Sequence, residues 1–200
     1  MKKTMTLYTA PGFSSLADHI AMLEAGLAFE LAKVDFATKA IEGGGKLTDV
    51  SPKGYVPALV LSDGELLTEN VAILTWVADQ APKLAPKGRM GSYRLLETLS
   101  FIASEIHKRF PVYLAASGAA KEAVAGEIRH WFSFLADGLR HDYLFGDTFT
   151  VADAYLFVML RGAAQLGFTL PEPLPAYVAR IEKRPATQSA LEREGLVTAP

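Results

Sequence analysis

The stretch TMTLYTAPGFSSLADHIAMLEAGLAFELAKV, residues 4–34, decides the fold. Thr4 to Thr9 has the content of a short strand, and Pro11-Gly12 ends it in a turn. Leu16, Ile20 and Leu23 then recur at i, i+4 and i+7, one face of a helix. Gly26 stands where a helix C-terminus needs a residue tolerant of left-handed backbone. Phe29 to Val34 reads as a second strand. Strand, helix and strand in about 30 residues make a βαβ unit, with parallel strands and a right-handed crossover.

Downstream, after a loop rich in glycine at Gly43 to Gly45, the apolar run Ala58 to Leu61 meets Asp63-Gly64 and then Leu66-Leu67. That is the signal of a hairpin with a two-residue turn. Val71, Leu74 and Ala78 mark a helix after it, so the first 80 residues spell βαβ then ββα, the thioredoxin-type order. Pro82, Pro86, Gly88 and Gly91 break the periodicity and suit an interdomain connection. Beyond it the pattern is helical. Leu95, Leu99, Ile102, Ile106 and Phe110 track one helix that Pro111 should end or kink, and Val124, Ile128, Trp131, Leu135 and Leu139 track another. Thr150-Val-Ala-Asp153 resembles a capping box with Asp for the usual Glu, opening a strongly apolar helix to about Leu166. Roughly 15 residues suit a buried central helix rather than a membrane span. Two short helices are expected around Tyr177 to Arg184 and Ala186 to Glu194. The expected organisation is α/β plus all-α: a domain over residues 1–80, a linker over 81–91 and an all-helical domain over 92–200.

Composition narrows the chemistry. The 200 residues include no cysteine, which removes disulfides, thiolate metal sites, cysteine nucleophiles and CxxC redox pairs. With 20 Lys+Arg against 22 Asp+Glu the chain offers no basic footprint for nucleic acid. Met1 to Thr9 has no apolar h-region and no run approaches a membrane span, so a soluble cytoplasmic protein is expected. Gly43-Gly-Gly-Lys46 fails as a phosphate loop, because Leu47 takes the Ser/Thr position and Ala40 the first glycine position. Gly12-Phe-Ser-Ser-Leu16 lacks the second glycine of a nucleophile elbow. His19, His107, His130 and His141 form no close ligand pairing, so no metal is expected.

The remaining candidates sit on loops. Ser14 and Ser15 lie between the first strand and the first helix, where one hydroxyl can cap the helix while the other faces a ligand; capping alone explains a serine there. Val56-Pro57 precedes a buried strand, a place where proline needs no special role. Asn70 after Thr68-Glu69 reads as the N-cap of the third helical segment, whose free N–H groups would receive a carboxylate.

Pro11-Gly-Phe-Ser14-Ser15-Leu-Ala-Asp-His19-Ile, Pro52-Lys53-Gly-Tyr-Val56-Pro57-Ala-Leu, Leu67-Thr-Glu69-Asn70-Val-Ala-Ile, Glu105-Ile-His107-Lys108-Arg-Phe110 and Phe149-Thr150-Val-Ala-Asp153-Ala-Tyr-Leu-Phe stand in an order and spacing that resembles the bacterial glutathione S-transferases, the beta class above all. The resemblance runs from about residue 5 to 196. It implies a thioredoxin-like domain joined to a helical one, a homodimer, glutathione as co-substrate and a small hydrophobic electrophile as its partner. By position it implies that Val56 pairs its backbone with the cysteinyl unit beside a cis Pro57, and that Glu69 and Asn70 hold the γ-glutamyl end. Lys39 and Lys53 would face the glycyl carboxylate or its surroundings, and His107 and Lys108 would lie near the thiol and peptide. Ser100, Ser104 and His107 fall at i, i+4 and i+7 and would line the cleft from one helix face. Phe13, Phe110, Tyr113, Tyr155 and Phe157 are the aromatic candidates for the electrophile pocket, which Gly162 would widen where beta-class relatives tend to carry a bulky aromatic.

The chain departs from that class at one decisive place. Ser14 stands where the beta class usually has a cysteine, so a mixed disulfide with glutathione is closed to it. Moving a thiol from pKa ~8.5 to about 6.5 takes about 2.7 kcal/mol. A hydrogen bond to a charged group provides roughly 1.5–3 kcal/mol. One hydroxyl, Ser14 or its neighbour Ser15, with help from a helix N-terminus, therefore suffices to activate the thiol of glutathione, with His107 as a polar assistant. Two other readings share this fold: a glutathione-binding or protein-interaction module without chemistry, and a specialised glutathione-dependent lyase, isomerase or dehalogenase.

Overall fold

In the computed structural model, residues 4–197 are described; Met1 to Lys3 and Thr198 to Pro200, the outer ends of the two expected domains, lie outside the described residues. The N-terminal half is built on β1 (Met5–Thr9), α1 (Ser15–Ala25), β2 (Phe29–Lys33), β3 (Ala58–Val60), β4 (Leu66–Thr68) and α2 (Asn70–Gln80). The sheet order is β2-β1-β3-β4. β1 and β2 are parallel, with Leu7 opposite Leu31, and β3 runs antiparallel to both β1 and β4. Gly26 ends α1 in left-handed backbone at φ 71°, as its position requires. The β3–β4 connection differs from expectation. Leu61 N–H bonds to the Glu65 carbonyl, which leaves a three-residue loop closed by Gly64 at φ 93°. A left-handed residue at the third loop position matches the twist of the strands as a two-residue turn would.

Strand alternation divides the sheet between two apolar layers. Leu7 and Leu59 point to the side covered by α1 and α2 and join the main core, while Tyr8, Ala58 and Leu66 point to the other side and pack with Val34 and Leu47 from the long β2–β3 connection. Fully burying a side chain such as Leu7, Leu47 or Leu59 contributes about 1.5–3 kcal/mol.

The C-terminal half contains α3 (Gly91–Phe101), α4 (Arg109–Ala115), α5 (Gly118–Gly138), α6 (Val151–Gln165), α7 (Leu174–Glu182) and α8 (Pro185–Glu194). The helix expected to run from Leu95 to Phe110 is broken into α3, a π-helical turn over Ile102–His107, and α4. Pro111 sits in the first turn of α4, where its missing N–H is harmless, and the break comes ahead of it. α6 is the centre of the molecule, with 11 of its 15 residues buried, and it packs against α1, α2, α3 and α7. Its start carries the expected device. The buried carboxylate of Asp153 accepts from Thr150 N at 2.8 Å, Thr150 Oγ1 at 2.7 Å, Leu144 N at 2.8 Å and Tyr177 Oη at 2.8 Å. Burial pushes this carboxyl up, and the four donors work against that push. No helix among the described residues is long and apolar enough to cross a membrane.

Candidate active site

The β1–α1 loop, the Tyr55–Pro57 segment, the start of α2, the π turn with α4, and the C-terminal part of α6 converge on two adjoining hollows. One is a cleft of about 320 Å³ bordered by Glu69, Asn70, Ala103, Lys108 and Tyr155. The other is a cavity of about 680 Å³, walled mainly by Phe13, Phe36, Phe110, Leu114, Val158 and Met159. Tyr55, Val56, His107 and Pro111 border both.

The two candidate serines part company. Ser15 Oγ is fully buried, 2.8 Å from Thr9 Oγ1 and 3.1 Å from the Ala10 N–H that donates to it. It holds the loop together and borders neither hollow. Ser14 is 7% exposed, lines the larger cavity, and its hydroxyl has no hydrogen-bond partner among the described residues. The position that opens α1 therefore presents a free hydroxyl rather than a cap.

Asn70 is a second correction. It begins α2 but caps nothing: its Nδ2 donates to the Ser14 carbonyl at 3.0 Å and to Asp18 Oδ2 at 2.6 Å, tying the serine loop to α2 from inside. Asp18 is completely buried, its other oxygen has no partner, and burial holds its carboxyl well above the usual range. The preceding Glu69 takes φ 76° and ψ 128°, strained backbone for a residue with a side chain and of a kind that clusters at functional sites. Its exposed carboxylate accepts from Lys53 Nζ at 2.5 Å and from Tyr55 Oη at 2.6 Å, and these bonds, that of Lys53 first, hold it below the usual carboxylate range. Lys53 thus stands at Glu69. The Val56–Pro57 bond is cis, and neither backbone group of Val56 finds a backbone partner among the described residues.

His107 lies between the two hollows. Its Nδ1 is 2.8 Å from Tyr155 Oη, and burial pushes the imidazole down, towards the neutral form, and the phenol up. A phenol that keeps its proton donates it to Nδ1, which leaves the ring proton on Nε2. Ser100 and Ser104 are exposed and border neither hollow. The i, i+4, i+7 spacing assumes α-helical rotation, and the π turn carries Ala103 rather than Ser104 to the side of His107. Lys39, at φ 63°, places its ammonium 4.3 Å from the Phe36 ring, and Phe36 stacks on Phe13 at 4.1 Å, so Lys39 reaches the cavity only through its aromatic wall. Phe13 and Phe110 line the larger cavity as expected, Tyr155 borders the smaller cleft, Tyr113 packs on Phe168, and Phe157 is core. Gly162 lines the cavity with open space where a side chain would stand. Tyr55 and Asp18 had no sequence signal, since each acts on a residue brought near only by folding. Among the described residues no group of three or more His, Asp or Glu is placed to hold a metal.

Comparison with known proteins agrees with this architecture. Residues 18–80 match the family described as glutathione S-transferase, N-terminal domain, and residues 98–185 the glutathione S-transferase, C-terminal domain. The chain is 40% identical over 200 residues to glutathione S-transferase GstA of Escherichia coli O157:H7, covering 96% of this chain and all of that one. A ternary complex of BphK, a bacterial transferase, superimposes with TM-score 0.90 at 44% identity, covering 96% of this chain and 100% of that one. A sphingomonad glutathione S-transferase complexed with glutathione superimposes with TM-score 0.88 at 44% identity and the same coverage. A thioredoxin-like sheet joined to an all-helical half, matched over both halves at this identity, places the chain in the glutathione S-transferase family.

Proposed function

We propose that this transferase activates glutathione with a serine hydroxyl: Ser14 donates a hydrogen bond to the thiolate, which then attacks a small electrophile whose hydrophobic body is held in the larger cavity. The observation that carries the reading is the unpartnered hydroxyl of the nearly buried Ser14 in the wall of the apolar cavity, which adjoins the cleft bordered by Glu69, Asn70 and Lys108. The N-terminus of α1 adds its partial positive charge to that of the hydroxyl. In this reading the free N–H and C=O of Val56 pair with the cysteinyl unit as a strand would. Glu69 receives the peptide's ammonium, the first N–H groups of α2 receive its γ-glutamyl carboxylate, and Lys108 adds positive charge at the rim. Lys53 serves this end by orienting Glu69, Asn70 acts from behind by holding the Ser14 backbone, and Lys39 is left for the glycyl carboxylate. His107 donates from Nε2 near the sulfur, with Tyr155 setting its tautomer. Two copies would associate through the exposed Tyr93 and Leu96 of α3 and Phe134 of α5, the last of which packs on both Phe101 and Trp131, and sedimentation at equilibrium reads the dimer directly.

The experiment is the thiol pKa of bound glutathione, followed by thiolate ultraviolet absorbance. Ser14→Ala is expected to raise it by about 1–2 units, the worth of a hydrogen bond to a charged group. An unchanged, depressed pKa in Ser14→Ala removes Ser14 from the role. Binding with no turnover of any electrophile favours the non-catalytic module, and no binding at millimolar glutathione overturns the peptide site.

A further inference from the structure

Among the described residues that line the larger cavity, one carries a formal charge. Arg161, on α6, stands among the apolar side chains that line it, and among the described residues no carboxylate or other acceptor engages its guanidinium. Arg94, Arg109, Arg129, Arg180 and Arg184 each pair with an acidic side chain; of the four described arginines without such a partner, Arg161 is the one that lines this cavity. Gly162, next in sequence, adds no side chain to that wall, and Gln165 lines it one turn on. Another part of the cavity is the flat, half-exposed stack of Phe13 on Phe36. Arg161 is partly exposed, and its planar fork matches a carboxylate in geometry and charge.

We propose that the electrophile is an anion: a flat aromatic or conjugated body that packs against the Phe13–Phe36 stack and carries a carboxylate to which Arg161 donates two N–H groups. This rests on the transferase reading above and names the substrate class of the same cavity. With an aryl chloride of this kind the glutathione thiolate forms the C–S bond, the C–Cl bond breaks, chloride leaves with its electron pair, and the thiol proton has already passed to solvent.

The probes are a chlorodinitrobenzoate with its chlorine between the two nitro groups, and its neutral methyl ester. The ratio of kcat/KM for acid over ester is expected to fall about tenfold or more in Arg161→Gln and to recover in part in Arg161→Lys. Unreactive dinitrobenzoate, titrated calorimetrically into the glutathione-saturated protein, should bind about tenfold more weakly to Arg161→Gln, while dinitrobenzoate methyl ester should not show that loss. Circular dichroism melting confirms that each variant is folded. An acid-to-ester ratio that is the same in wild type and Arg161→Gln overturns the proposal, as does an Arg161→Gln defect confined to the KM for glutathione. If wild type turns over neither electrophile, the transferase reading fails, and the dinitrobenzoate titration still decides Arg161.

Discussion

Replacing Glu194 by alanine should unfold this protein at markedly lower urea. Glu194 lies near the end of α8, is 4% exposed, and reaches the β1–α1 loop 182 residues earlier in the chain. Its Oε2 accepts from Gly12 N at 2.9 Å, and its Oε1 accepts from Thr9 Oγ1 at 3.1 Å and lies 2.9 Å from His19 Nδ1. Thr9 keeps Ser15 Oγ as a partner after truncation, but Gly12 N and His19 Nδ1 do not, and His19 Nε2 is already without one. A buried donor left unpaired costs about 1–3 kcal/mol, so the fully buried His19 Nδ1 and the partly buried Gly12 N, with the lost packing of the side chain, come to about 3–5 kcal/mol. At this chain length that corresponds to a Tm lower by roughly 6–20 °C. Glu194→Gln keeps a carbonyl acceptor and should lose about half as much. Urea unfolding monitored by circular dichroism measures both, with the slope m checked for constancy. A loss below about 1 kcal/mol in Glu194→Ala would refute the view that these bonds anchor α8 to the loop that carries Ser14.

Asp153→Ala removes the acceptor for four donors at the start of the central helix and should cost about 3–5 kcal/mol in urea unfolding, with Asp153→Asn close behind because its NH₂ would face donors. Gly91→Ala places a Cβ 2.1 Å from the Pro86 carbonyl oxygen, so the connection before α3 must move, and calorimetry should register a loss of about 2–3 kcal/mol. The pH dependence of Asp18 has a definite sign. Burial raises its carboxyl in the folded state, so this group supports the fold below the unfolded pKa near 3.8 and the support is lost as pH rises through the folded value. Asp18→Asn should therefore be more stable than wild type at pH 8, and the difference should shrink as the pH is lowered towards 4; a constant difference across that range would contradict the assignment.

Local pattern made much of the fold readable. Leu16, Ile20 and Leu23 with Gly26 delimit α1, Thr150 to Asp153 opens α6, and both signals are contained within a few residues of the structure they produce. The errors came where a residue answers to a distant partner. Asn70 has the chemistry of a cap, yet its amide is claimed by Ser14 and Asp18, more than 50 positions away in sequence. Ser100 and Ser104 share a face with His107 only if the helix stays α-helical, and the π turn ahead of Pro111 changes that rotation.

The sequence by itself determined the order of strands and helices, the absence of any protein thiol, and the short segments from which a site is assembled, because each depends on side-chain type and near spacing. Only the tertiary structure decided which of two adjacent serines is free. Ser15 is taken by Thr9 and Ala10, while Ser14 faces the cavity, and hydrogen-bond competition between neighbours is settled by where the folded chain puts their partners. Packing likewise set Arg161 against the apolar cavity without a carboxylate, since an ion pair depends on which charges the fold brings within reach.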